Sequence, residues 1–103
     1  MSGATLGSVR LTVAMIADIP DGAQAGFQAY ESAVLPLLPR HGGRLERRLR
    51  AEDALTEIRI VSFGSREGFE SYLTDDERQS HRGLLNGLGV AQRVLLVHDV
   101  PVS

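Results

Sequence analysis

The chain has 103 residues, 43% of them apolar, and a formal net charge of −2. That length supports one two-layer core, and the mixed charge provides no basic field for nucleic acid or an anionic membrane. There is no Cys, and all 11 basic residues are Arg, which excludes disulfides, thiol nucleophiles, thiolate metal sites, Schiff-base lysines and P-loop lysines. No apolar run reaches membrane-spanning length. Residues 1–8, MSGATLGS, lack the charged start and apolar stretch of a signal peptide. They are expected to be a frayed tail ahead of one domain over residues 9–103, in a cytoplasmic protein.

The first element is a strand over residues 9–18, VRLTVAMIAD, with Val9, Leu11, Val13 and Met15 on one face and Arg10, Thr12, Ala14, Ile16 and Asp18 on the other. IPDGAQ turns the chain, with Asp21 as N-cap and Gln24 completing a capping box. The helix that follows has Phe27, Tyr30, Val34 and Leu38 along one stripe. Pro36 disturbs its last turn, and Gly42 or Gly43 supplies the left-handed C-cap. Residues 44–50 put Leu45, Arg47 and Leu49 on one strand face. Residues 57–63 set Ile58, Ile60 and Ser62 opposite Arg59, Val61 and Phe63, and AEDALT joins the two strands as a hairpin. Ser65 caps a second helix carrying Phe69, Tyr72 and Leu73. Thr74 and Glu77 form a second capping box that restarts a helix through DDERQSHRGLL. Residues 93–100 are the last strand, with Val94, Leu96, His98 and Val100 on one face.

The order β-α-β-β-α-β predicts an α+β, ferredoxin-like domain: a four-stranded antiparallel sheet with both helices on one side. The other sheet face, expected to include Ile16, Val61, Phe63, Leu95 and Val97, is too apolar to face water. A second copy is the simplest cover, so a homodimer through the sheet faces is expected.

YESAVLPLLPRHGGRLERRLR followed by IRIVSFGSREGFESYLTDDERQSH resembles the dimeric α/β-barrel superfamily, which includes antibiotic-biosynthesis-monooxygenase-like proteins and small bacterial proteins of many activities. The resemblance spans roughly residues 9–100 and rests on the strand–Phe–x–Ser–x–x–x–Phe–x–x–Tyr run. It implies a dimeric α/β barrel with a site between each sheet and its helices. In the haem-degrading branch that site pairs a first-strand Asn with a helix Trp and a helix His. Here Met15 stands near the Asn position, Tyr72 at that of the Trp and His81 at that of the His. Only His81 carries across, and no resident cofactor is expected.

The resemblance and the residues together give the candidate catalytic groups His81, Tyr72 and His98, and a ligand pocket of Met15, Phe27, Tyr30, Ser62 and Arg47. An imidazole at His81 can take a proton from an acidic C–H or phenol near neutral pH, or be a half-buried His bonded to a carbonyl. His98, in an apolar row, needs a partner such as Ser62 or Tyr30. The aromatics at helical spacing build a core or wall a small apolar pocket. Arg47 either holds an anion or extends from an edge strand to water. His41 is read as a helix-end residue that bonds the last carbonyls. No His or carboxylate pair has metal-ligand spacing, so no metal is expected, and the aromatics of an RNA-binding sheet are absent. Three functions stay open: a cofactor-free monooxygenase or isomerase for a small aromatic or polycyclic molecule, a non-enzymatic dimeric binding or scaffold domain whose pocket is filled by its own side chains, and, from the resemblance, haem binding.

Overall fold

The structure, a computed structural model, describes residues 10–102; the tail expected over residues 1–8 lies outside them. Strands β1 (Leu11–Asp18), β2 (Gly43–Arg50), β3 (Thr56–Phe63) and β4 (Ala91–Val97) form one antiparallel sheet in the order β2-β3-β1-β4. Helix α1 (Gln24–Val34), extended by a 3₁₀ segment over Leu35–His41, links β1 to β2. Helices α2 (Arg66–Leu73) and α3 (Asp76–Ser80), with a 3₁₀ turn over His81–Leu85, link β3 to β4. This is the ferredoxin-like plan expected from the sequence.

Strand alternation decides which residues meet the helices. Val13 lies opposite Val61 and Leu96, and Met15 opposite Arg59 and Val94. Leu11, Val13, Met15 and Ala17 therefore share a face with Glu57, Arg59, Val61 and Phe63. On that face Val13, Met15, Val61 and Phe63 pack against Leu37, Leu38, Phe69 and Tyr72. Ala17 packs with Phe27, Tyr30 and Val34 of α1. Val61 and Phe63 belong to this covered face, not to the open one where the sequence reading put them, because their partners on β1 are the inward Val13 and Leu11. The open face carries Ala14, Ile16, Ile58, Ile60, Leu49, Leu95 and Val97.

Local sequence explains most element ends. Pro36 and Pro39 convert the end of α1 into the 3₁₀ segment, which stops at Gly42 with φ 71°. Ser65 caps α2 by accepting from the Gly68 amide at 3.0 Å. Two expected caps differ. Ala23, not Asp21, is the N-cap of α1 and supplies no side-chain cap, while Gln24 reaches back to accept from the Gly22 amide ahead of the helix at 2.8 Å. Asp75, not Thr74, caps α3, accepting from Arg78 N at 3.0 Å. The single helix expected after Thr74 is a five-residue helix and a 3₁₀ turn, since Gly83 and Gly87 disfavour continuation.

The 3₁₀ segment docks closely on α2. A Cβ on Gly68 would collide with the His41 backbone carbonyl. Ala at that position gains about 1 kcal/mol of helix propensity, but the collision outweighs it. G68A is expected to lower stability by about 1–3 kcal/mol, in the range of overpacked sites, read as a lower urea midpoint. An unchanged midpoint would mean that the segment does not sit on α2 as described.

Candidate active site

The expected site residues do not converge. Met15 and Tyr72 lie in one core cluster, and Phe27 and Tyr30 in the other; all four are buried. The Tyr72 hydroxyl donates to Val34 O at 3.4 Å, and Arg78 stacks over its ring at 4.8 Å. Burial pushes the Tyr72 phenol up, with Arg78 offsetting part of it. His81 follows α3 with Nε2 3.9 Å from Glu77 Oε2. His98 lies beyond the end of β4, exposed, with Nδ1 3.0 Å from the Asp99 carbonyl. It is not in the apolar row, because β4 ends at Val97. Ser62 is on the open face, donating to Glu46 at 2.6 Å. Arg47 is exposed on that face of edge strand β2.

The charged groups that do converge were not among those candidates. Glu31 of α1 falls on the buried stripe beside Phe27, Tyr30 and Val34. Glu57 and Arg59 alternate with Val61 on the inward face of β3. A β-bulge between Leu45 and Arg47 shifts the phase of β2, so that Arg48 and Arg50 oppose Arg59 and Glu57. The carboxyls of Glu31 and Glu57 are each 1% exposed and Arg59 is 2% exposed. Arg48 bridges the two carboxyls, donating to Glu31 at 2.7 Å and to Glu57 at 3.0 Å. Arg50 donates to Glu57 at 2.9 Å. Arg59 lies over the Phe27 ring at 5.3 Å, with Nε 3.5 Å from Glu31 Oε2, and donates to Gln92 at 3.1 Å.

These surroundings separate the two carboxyls. Burial pushes Glu31 up, a hydrogen bond to Glu57 and that group's charge add to the rise, and the arginines offset only part; it reaches about 7. Burial also acts to raise Glu57. Hydrogen bonds from Glu31, Arg48 and Arg50 outweigh it and hold Glu57 down at about 2. Glu31 therefore holds the exchangeable proton of the pair, and its Oε2 accepts no hydrogen bond.

Glu31 and Arg48 also line a cleft of about 490 Å³ between the α1–3₁₀ segment and β2. Its other walls include Leu35, Leu38, Pro39 and Leu45. The residues around this apolar recess thus include a glutamate with a buried carboxyl raised to about 7 and a half-exposed arginine bonded to it. The signal for it in the sequence was a pair of acids and an Arg at inward positions of a helix and a strand. Among the described residues, no group of His and carboxylates is arranged to hold a metal.

No family model matches the chain, and no curated protein does. Solved structures do. A Nitrosomonas europaea protein named for antibiotic biosynthesis monooxygenases is similar at 9% identity and TM-score 0.73, over 91% of this chain and 93% of that one. SnoaB, a cofactor-independent oxygenase from Streptomyces nogalater, is similar at 16% identity and TM-score 0.69, over 91% and 98%. Rv0793 from Mycobacterium tuberculosis is similar at 17% identity and TM-score 0.69, over 92% and 100%. At these identities the likeness is one of fold: the chain has the ferredoxin-like fold found in antibiotic-biosynthesis-monooxygenase-like proteins.

The carboxyl pair sets a pH dependence. Glu31 in the folded chain lies above its ordinary value of 4.5, so the folded state binds more protons and stability falls as pH rises from about 4.5 to about 7. Glu57 lies below 4.5, so its contribution is lost as pH falls from about 4.5 to about 2. In urea denaturation at a series of pH values, E31Q is expected to flatten the slope between pH 4.5 and 7 and leave an acid-side loss. An unchanged slope in E31Q would overturn the assignment of the proton to Glu31.

Proposed function

We propose that this chain is a proton-abstracting enzyme of the cofactor-independent oxygenase type, acting on a small aromatic carbon acid bound in the cleft between α1 and β2. The observation that carries this reading is Glu31: a residue lining an apolar cleft, whose buried carboxyl is raised to about 7, near the pH where a general base works best. Arg48, beside it on the cleft wall, takes up the negative charge that develops on the substrate oxygen. In the reaction Glu31 removes a proton from a substrate CH₂. The resulting carbanion reduces molecular oxygen, the co-reactant, to a bound hydroperoxide, which loses water to leave a carbonyl; CH₂ and O₂ become C=O and H₂O. An isomerase would use the same first step and return the proton to another carbon. The oxygenase branch is favoured by the fold shared with SnoaB.

One observation favours a second, non-enzymatic reading. The interior expected to form the pocket is filled by Phe27, Tyr30, Phe63 and Tyr72, each no more than 1% exposed. A binding or scaffold domain with a closed core needs no more than that. Anthrone, an aromatic carbon acid, separates the readings. The enzyme consumes oxygen with it, E31Q lowers the rate by about a hundredfold with the fold retained, and H81A leaves the rate unchanged. Full activity in E31Q would remove Glu31 from the role. A loss confined to H81A would move the base to His81. Binding of carbon acids without oxygen uptake or solvent deuterium exchange would favour the scaffold.

We further propose that the chain works as a homodimer joined through the open sheet faces. The support is the row of Ile16, Ile58, Ile60, Leu49, Leu95 and Val97, of which Leu49, Leu95 and Val97 are 37–42% exposed. I60E is expected to convert a dimer into a folded monomer in sedimentation velocity at micromolar concentration. A wild-type monomer at that concentration would end this reading.

A further inference from the structure

We infer a second reactive centre, away from the α1–β2 cleft: Ser71 is a histidine-activated nucleophile that takes an acyl group from activated esters or thioesters. Ser71 Oγ lies 2.7 Å from His41 Nδ1, and His41 Nε2 lies 2.6 Å from Asp75 Oδ2. Three elements meet here: His41 ends the 3₁₀ segment, Ser71 is on α2, and Asp75 caps α3. A nucleophile, a base in hydrogen-bond reach and a carboxylate orienting the base form the arrangement that activates a hydroxyl.

Burial is graded along the chain of groups. The Asp75 side chain is 6% exposed and that of His41 12%, while Ser71 is open to solvent. The acid is shielded, the base is partly shielded and the nucleophile is accessible.

The hydrogen bonding fixes the proton positions. The Arg78 amide, then His41 and the neighbouring Arg40 hold the Asp75 carboxyl down at about 2, so it is a carboxylate and needs donors. His41 Nε2 must therefore carry a hydrogen. In the neutral imidazole Nδ1 is then the free lone pair, and the Ser71 hydroxyl donates to it. The hydroxyl has a second acceptor, Gly68 O at 3.0 Å. When the imidazole gains a second proton, Ser71 turns its hydrogen to Gly68 O and accepts from Nδ1–H. The site thus accommodates both protonation states of the base without losing a hydrogen bond, as a proton-accepting base requires. Arg40, bonded to Asp75 at 3.3 Å and to Glu77 at 3.0 Å, holds the carboxylate in place.

In the acylation step Ser71 Oγ bonds the acyl carbon and its proton passes to His41 Nδ1. The bond from the acyl carbon to its leaving group breaks, the leaving group departs with the electron pair, and His41 Nδ1 gives up its proton to the departing group or to solvent, which restores the neutral imidazole. Water then attacks the acyl-serine, His41 taking its proton, and Ser71 recovers a proton as the carboxylic acid leaves. The α2 amides around Ser71 are engaged in the helix, so no pair of donors is set to hold an oxyanion. The centre is accordingly restricted to donors with good leaving groups.

The probe is p-nitrophenyl acetate, with mass mapping of the adduct. The wild type is expected to give a burst of p-nitrophenolate and an acetyl group on Ser71. S71A abolishes both, and H41Q slows acylation about a hundredfold, the usual contribution of a positioned base. Ser71 and His41 are partly or fully open to solvent, so circular dichroism of both variants is expected to match the wild type. E31Q, in the other site, leaves the burst unchanged. Acetylation of His41 in place of Ser71, a burst rate equal in H41Q, or no adduct on Ser71 would each overturn the inference.

Discussion

The structure turns on two carboxyls buried against each other under one helix. Glu31 comes from α1 and Glu57 from β3, and both are almost fully removed from water. A pair of buried carboxylates would repel strongly at this range, so one of them keeps a proton. The arginines decide which one. Arg48 and Arg50 both reach Glu57, whereas Glu31 receives only Arg48 by a good hydrogen bond and Arg59 at 3.5 Å. Glu57 is the better-solvated partner in effect, and the proton stays on Glu31. The charged network therefore fixes more than the seating of α1 on the sheet. It also stores one titratable proton beside an opening.

The opening has its own physical cause. α1 ends at Val34 because Pro36 cannot donate in a regular helix and Pro39 repeats the interruption. The chain continues as a narrower 3₁₀ segment that is fastened at its far end, where Arg40 and His41 bond Asp75 and Gly68 lies against the His41 carbonyl. Between the proline-rich segment and edge strand β2, side chains do not close the gap, and the cleft remains. The other half of the layer, around Phe63, Phe69 and Tyr72, has close aromatic packing, with ring centroids 5.5–5.7 Å apart.

Much of the fold was legible in the sequence because period-2 and period-3.6 patterns are strong where one face is buried. The four strands, the ends at Gly42 and Ser65 and the aromatic stripes follow from such patterns. The site was harder to read. Leu45, Arg47 and Leu49 look like one strand face, but the bulge at Glu46 breaks their phase: Leu45 opposes the inward Val61, while Leu49 opposes the outward Ile58. A bulge adds one residue without a composition signal, so the inward turn of Arg48 and Arg50 could not be foreseen. Histidines stand out in a sequence because imidazole titrates near neutrality without help. A glutamate does so only once its burial is known, and burial is a property of the assembled layer.

Both polar clusters lie where elements meet. Glu31 sits at the junction of α1 with a phase-shifted edge strand, and the Ser71–His41–Asp75 chain at the junction of the 3₁₀ segment with α2 and α3. Within an element, side chains three or four residues apart in a helix, or two apart in a strand, lie on one face and point the same way. At a joint, two or three elements point side chains at a common spot, and irregular backbone leaves space or exposure beside it. In this fold the 3₁₀ segment takes part in both joints: its prolines hold the cleft open and its terminal His41 reaches the corner of the helices. The two centres thus share one irregular segment, and that segment exists because of two prolines and a left-handed glycine.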